Sequence, residues 1–251
     1  MEEKSIDIPV RNEKTLKGII YPAGSKKMVI ICHGFTGDKT EWGRFPKTAA
    51  RLNEHRIDAL IFDFTGSGEN ARVPVCLSQQ VKDLEDVFEW VKEQGYTSIG
   101  TIGLSFGGIT SLLANLPERK VAVFWAPGFY IKRIIGKIRL FFAKLLAKRK
   151  PMKRASRTGA ILMGEKFFKD IESTEVEPVL KSFTTPSLII QGTSDATVKP
   201  SYSREAIALM PQDEHHKLVE VEGAGHDFGM DNPAELDTFI NESIKWMEKY
   251  M

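Results

Sequence analysis

Hydrophobic and polar positions along the chain alternate between two periods. The segments SIDIPV and LKGIIYP read as an early pair of strands. Continuous apolar runs follow at MVIIC (Met28–Cys32), DALIFDF from Asp58, SIGTIGL, VAVFWAP from Val121, SLIIQG from Ser187 and KLVEV from Lys217. Short β-rich runs without polar alternation predict strands buried on both faces, as in a parallel sheet. Helical spacing separates them. In VKDLEDVFEWVKEQG, apolar Val81, Leu84, Phe88 and Val91 recur on one face, and Gly95 stops the helix. The final helix has Asn232 as cap, Pro233 in first position and Glu235 three residues after the cap. Leu236, Phe239, Ile240 and Met247 make its stripe. The alternation predicts an α/β fold, a mostly parallel doubly wound sheet of about eight strands.

The stretch 128–183 departs from this rhythm. It shows helical periodicity and no convincing strand, and it is too long for an ordinary connection. It predicts an inserted helical subdomain within a core formed by 1–127 and 184–251. Its 131–157 portion holds eleven Lys and Arg and no acid, a concentration that calls for an explanation.

Composition adds few constraints. A formal net charge of +2 over 251 residues gives no overall field to attract nucleic acid. Two cysteines, Cys32 and Cys76, imply no disulfide framework. The first residues lack the apolar centre of a secretory signal, and no apolar run reaches the ~18 residues of a spanning helix. A cytoplasmic protein is expected.

Chemistry concentrates where strands end. GLSFGG follows a strand and opens a helix. Such a sharp reversal crowds its turn residue, and Gly103 and Gly107 on either side of Ser105 remove the side-chain clashes. The G-x-S-x-G pattern is the nucleophile elbow of α/β-hydrolases. A serine hydroxyl needs a base. Of five histidines, His55 lies after a helix, well before the next strand; His215 and His216 fall at the opposite strand edge and are expected to be solvated, while His33 and His226 fall at the edge of Ser105. His33 lies in HGFTG, better suited to a loop role. Asp63 and Asp195 both follow strands; the chain order nucleophile, acid, base selects Asp195, then His226. Asp63 is expected to order its own turn. The loop after the third strand and the residue after the serine would supply oxyanion N–H groups from Phe35 and Phe106, with Gly34 allowing close approach. No Cys/His cluster or dense set of carboxylates points to a metal.

HGFTG, DFTGSGEN, GLSFGG, GTSDATV and GAGHDF, in this order, resemble the α/β-hydrolase superfamily. Within it the chain is similar to serine esterases that include bacterial cinnamoyl (feruloyl) esterases and monoacylglycerol lipase-like enzymes. The resemblance implies Ser105 as nucleophile, His226 as base, Asp195 as orienting acid, Phe35 and Phe106 as oxyanion donors, no cofactor, and the insert as a cap. Gly34, Phe129, Ile134, Ile138 and Phe142 are the candidate substrate contacts. One departure is Lys132-Arg133, where feruloyl esterases of this type carry acidic or polar groups. The expected activity is hydrolysis of small-molecule esters of short to medium acyl chains. Alternatives are a feruloyl esterase, monoacylglycerol lipase, thioesterase, amidase or carbon–carbon bond hydrolase with the same triad, or a non-catalytic ligand-binding or membrane-surface protein on this scaffold. The basic insert is a candidate for contact with anionic lipid.

Overall fold

In a computed structural model, residues 2–11 and 14–251 are described. The strands β1 (Lys4–Val10), β2 (Lys14–Tyr21), β3 (Lys27–Cys32), β4 (Asp58–Phe62), β5 (Ser98–Leu104), β6 (Val121–Trp125), β9 (Ser187–Gly192) and β10 (His216–Val221) form one sheet. Its order is β1-β2-β4-β3-β5-β6-β9-β10. The β1–β2 and β2–β4 pairs are antiparallel, and every later pair is parallel. This is the α/β-hydrolase fold.

The unbroken apolar runs have a simple cause. Side chains alternate across a strand. In β3, Val29 and Ile31 pack with α1 (Arg44–Glu54) and α9 (Pro233–Tyr250). Met28, Ile30 and Cys32 pack on the other face with α2 (Leu77–Glu93). Both faces are covered, so both registers must be apolar. The helices α3 (Phe106–Leu113) and α8 (Pro200–Leu209) share the α2 side. The α9 start behaves as its sequence predicts: the Asn232 side chain accepts the Ala234 N–H at 3.2 Å.

Between β6 and β9 the chain leaves the sheet. It builds α4 (Ile131–Ile135), α5 (Lys137–Ala147), α6 (Glu165–Ser173) and α7 (Glu177–Lys181). It also builds a hairpin, β7 (Met152–Ser156) with β8 (Gly159–Met163). The expectation of a helical insert without strands is therefore corrected. The hairpin escapes a hydrophobic-period reading because β7, MKRAS, is almost wholly exposed and has no apolar face to alternate. The hairpin closes a two-stranded sheet of its own. It is tied to the loop after β3 by Arg157, whose Nε donates to Asp38 at 2.7 Å and whose Nη2 donates to Thr40 at 2.8 Å.

Candidate active site

Ser105 lies between the last residue of β5 and the first of α3. Its backbone is held at φ 52°, ψ −109°, which side chains other than glycine rarely adopt. The glycines around it answer to space rather than to φ. A Cβ on Gly107 would stand 2.3 Å from the Cys32 carbonyl oxygen and 2.6 Å from that of His33. A Cβ on Gly103 would stand 2.6 Å from the Gly107 carbonyl oxygen. The elbow thus packs directly onto the end of β3, which brings the HGFTG loop beside the serine. A Cβ on Gly34 would lie 3.7 Å from the Ser105 Cβ.

Two further strand ends complete the arrangement. The loop after β10 carries His226, and its Nε2 is 3.1 Å from Ser105 Oγ. The loop after β9 carries Asp195, whose Oδ2 is 2.7 Å from His226 Nδ1. Asp195 is buried and accepts from the N–H groups of Thr197 and Val198 through Oδ1, at 2.8 and 2.7 Å. It also accepts from Gln191 Nε2 at 3.0 Å. These contacts settle the imidazole tautomer. A carboxylate only accepts, so Nδ1 carries the proton and Nε2 presents a lone pair to the serine hydroxyl. Gln191 is in turn held by the Ser203 hydroxyl, which donates to its Oε1 at 2.8 Å. It lies inside the apolar β9 run, and only its polarity at a buried strand position marks it.

The competing residues have other duties. His33 is buried; its Nε2 accepts the Phe64 N–H at 3.1 Å, which leaves Nδ1 to donate to the Gly34 carbonyl at 2.8 Å. Burial pushes its pKa below the ordinary value. Asp63 accepts from the N–H groups of Lys39 and Glu69 and from the Lys39 ammonium, at 2.7, 2.9 and 3.0 Å. It clasps two loops and does not reach a histidine. His55 pairs with Glu248 at 2.8 Å. His216 corrects the expectation of a solvated residue: its side chain is buried, and Nδ1 lies 2.8 Å from Ser187 Oγ.

The backbone N–H groups of Phe35 and Phe106 have no acceptor among the described residues. Phe106 is the first residue of α3, where helix geometry offers its N–H no partner and the helix dipole adds positive potential. The Phe35 and Phe106 rings pack edge to face at 5.8 Å between centroids. Phe167 of α6 lies against both, at 5.1 and 5.9 Å. The insert therefore touches the serine's surroundings directly.

A cleft of about 310 Å³ opens at Ser105 and His226, bounded by Gly34, Phe35, Glu41, Trp42, Arg154 and Thr197 among others. Of the five candidate substrate contacts, Gly34 alone lines it. Phe129 is buried against Phe124 and faces a separate cavity of about 740 Å³ between α4–α5 and the segment around α6 and α7. Ile134 lines neither space. Ile138 and Phe142 point to solvent, because Leu140 and Ala147 take the core-facing side of α5. The register of α4 and α5, which periodicity alone leaves undetermined, corrects Ile134, Ile138 and Phe142; Phe129, in the loop before α4, is instead packed on Phe124.

Glu41 is the residue that sequence reading missed. It and Trp42 hold consecutive left-handed backbones, at φ 44° and 54°, a strain that persists only where the surroundings enforce it. The Glu41 carboxyl is buried; Oε2 has no partner, and Oε1 is 3.4 Å from Arg44 Nη2. Burial raises its pKa to about 7, with Arg44 opposing. No motif announces it, since a lone acid in a loop is ordinary in sequence.

Residues 29–238 match the model of the alpha/beta hydrolase family. The chain belongs to the alpha/beta hydrolase family. A curated relative, a carboxylesterase of Bacillus subtilis (strain 168), is 33% identical over 94 residues, which is 36% of this chain and 36% of the relative. The match thus spans about a third of that protein's length. Among solved structures, the alpha/beta hydrolase GrgF from Penicillium sp. sh18 is similar, with TM-score 0.80, 19% identity, and coverage of 100% of this chain and 99% of that one. Est1E from Butyrivibrio proteoclasticus, solved with ferulic acid bound, has TM-score 0.76 at 18% identity, covering 97% of this chain and 99% of that one. For this alpha/beta hydrolase, likenesses at such identity speak to fold.

Proposed function

We propose that the protein is a serine hydrolase that cleaves carboxylic esters of short to medium acyl chains. The observation that carries this reading is the continuous path from Ser105 Oγ through His226 to the buried Asp195, at 3.1 and 2.7 Å. His226 Nε2 takes the hydroxyl proton as Ser105 attacks the ester carbonyl. Asp195 orients the ring and stabilises the imidazolium. The oxyanion forms against the N–H groups of Phe35 and Phe106, where the α3 dipole adds to the stabilisation. His226 then returns the proton to the leaving alkoxide, and the alcohol departs. Water, activated by the same histidine, attacks the acyl-enzyme and releases the acid and Ser105.

The insert, 128–183, serves in this reading as a cap over the cleft; Phe167 against Phe35 and Phe106, and Arg154 at the cleft wall, support it. The modest cleft volume supports small acyl groups. The partial likeness to a carboxylesterase supports the ester as substrate class.

Ser105→Ala and His226→Ala are each expected to lower p-nitrophenyl butyrate turnover by ~10⁴-fold or more, with the double variant little worse than either single one. A fluorophosphonate probe is expected to label the wild type at Ser105 and to leave Ser105→Ala unlabelled. Near wild-type turnover by Ser105→Ala rejects the assignment. In a p-nitrophenyl ester series, activity confined to bulky aromatic acyl groups rejects the short-to-medium preference while leaving the triad intact.

A further inference from the structure

The basic, apolar stretch of the insert has a use that ester cleavage does not require. On α5, Leu140 and Ala147 face the core. The opposite side carries Ile138, Phe141, Phe142, Leu145 and Leu146, exposed by 76, 56, 57, 56 and 62%. Their spacing puts them along a single stripe of the helix. Among the described residues, most exposed large hydrophobic side chains are in this one stripe, and a contiguous apolar face of this kind marks an interaction surface.

The charges around it narrow the choice of partner. Helical spacing sets Lys137, Lys144 and Lys148 along one edge of the stripe and Arg139 along the other. Elsewhere in the insert, several cations are matched: Lys132 with Glu175, Arg133 with Glu177 and Glu205, Arg157 with Asp38. On α5, Lys144 pairs with Glu172. Among the described residues, Lys137, Arg139, Lys148, Arg149, Lys150 and Lys153 have no carboxylate partner. A second copy of the chain is a poor match, because two such stripes face to face would bring like charges together. A surface of lipid phosphates answers both features. Apolar side chains enter the boundary between headgroups and acyl chains, while the long cationic side chains at the edges reach the phosphates. The cavity of about 740 Å³ shares Lys137 and Phe141 with this face, so chain-sized apolar space lies next to it. Among the described residues no helix is long and apolar enough to cross a membrane, so contact would lie in the plane of the interface.

We infer that α5 and the unpaired cations beside it form a docking face for anionic lipid surfaces. The face works reversibly: its charges are exposed, and salt screens exposed charges.

Co-sedimentation with vesicles tests this. The wild type is expected to bind phosphatidylglycerol-containing vesicles at low ionic strength. Binding is expected to be weaker by about tenfold or more with phosphatidylcholine alone, or when salt shortens the screening length to about 3 Å near 1 M. Leu145→Glu/Leu146→Glu, at solvent-facing positions outside the Ser105 cleft, is expected to lose the binding about tenfold or more. That variant is expected to keep the wild-type Tm and the wild-type turnover of a soluble ester. Retained lipid binding by Ser105→Ala keeps the face separate from catalysis. The inference is overturned by absence of binding to phosphatidylglycerol vesicles at low salt, by equal binding to phosphatidylcholine, or by unchanged binding of the double variant. It is overturned equally by a wild-type dimer that the double variant converts to monomer, which assigns the stripe to a second copy. Retention on poly-L-glutamate without vesicle binding also overturns it, in favour of an acidic protein partner.

Discussion

At the residue scale, two carboxylates with similar sequence settings have separate duties. Asp195 holds His226 Nδ1 at 2.7 Å, whereas Asp63 clasps Lys39 and Glu69. Asp195→Asn replaces an acceptor with a group that can donate to Nδ1 and so favours the wrong tautomer. Turnover is expected to fall by about 10⁴-fold with little loss of stability. Asp63→Asn is expected to lower Tm while leaving turnover within about tenfold, since it weakens charge-assisted bonds in the loops. Steady-state kinetics beside thermal melts distinguish the two; the opposite ranking assigns the acid to Asp63. Glu41 makes a pH prediction. Its pKa rises from the ordinary 4.5 to about 7 in the folded protein because its carboxyl is buried. Between those values the folded protein holds a proton that the unfolded chain has released. The neutral carboxyl's contribution is thus fully present below the lower value and is lost as pH rises through the upper one. Glu41→Gln removes this loss, so the variant gains on the wild type by up to about 3 kcal/mol between pH 4.5 and pH 8. Urea midpoints that run parallel across the window reject it.

At the element scale, local chemistry and tertiary contacts divide the work. The α9 start is a local event: Asn232 accepts from Ala234, and Pro233 takes the first helical position. Asn232→Ala is expected to cost about 1 kcal/mol, lowering Tm by about 2–4 °C for a domain of this size. An unchanged melt shows that packing of Leu236, Phe239 and Ile240 alone sets that end. The strands β3 to β6 are legible for a similar reason, as their residues face apolar neighbours on both sides. The β7–β8 hairpin is not. Besides pairing with itself, it is held by contacts distant in sequence: Ile161 and Met163 pack into the core, the Val75 N–H donates to the Leu162 carbonyl, and Arg157 reaches Asp38 and Thr40 more than a hundred residues away.

At the scale of the whole molecule, the sheet's interior is closed to solvent on both faces. Cys32 is fully buried in β3 and its thiol pKa is pushed up by burial; Cys76 is also buried at the start of α2. Reagents need an exposed thiolate. The folded protein is therefore expected to give almost no reaction with a disulfide-exchange reagent over minutes, and both thiols to react fully in denaturant. Fast labelling of one thiol under native conditions exposes a breach in the α2 side of the core.

The sequence by itself determined the fold class, the strands of the parallel sheet and the residues that converge at their ends. Burial on two faces forces continuous apolar runs, and the connections of a parallel sheet return every strand end to one edge. Chain order then singled out Ser105, Asp195 and His226 as candidates. Tertiary structure alone decided which side of α5 meets the core. Its apolar residues surround much of the helix, so periodicity is consistent with several rotations. The packing of Leu140 and Ala147 chose one and left Ile138 and Phe142 outside. Structure alone also brought Glu41 and Arg154 to the cleft, and Gln191 beneath Asp195. Each is an ordinary polar residue until a fold places it beside a reactive group, because burial and proximity are properties of the assembled chain.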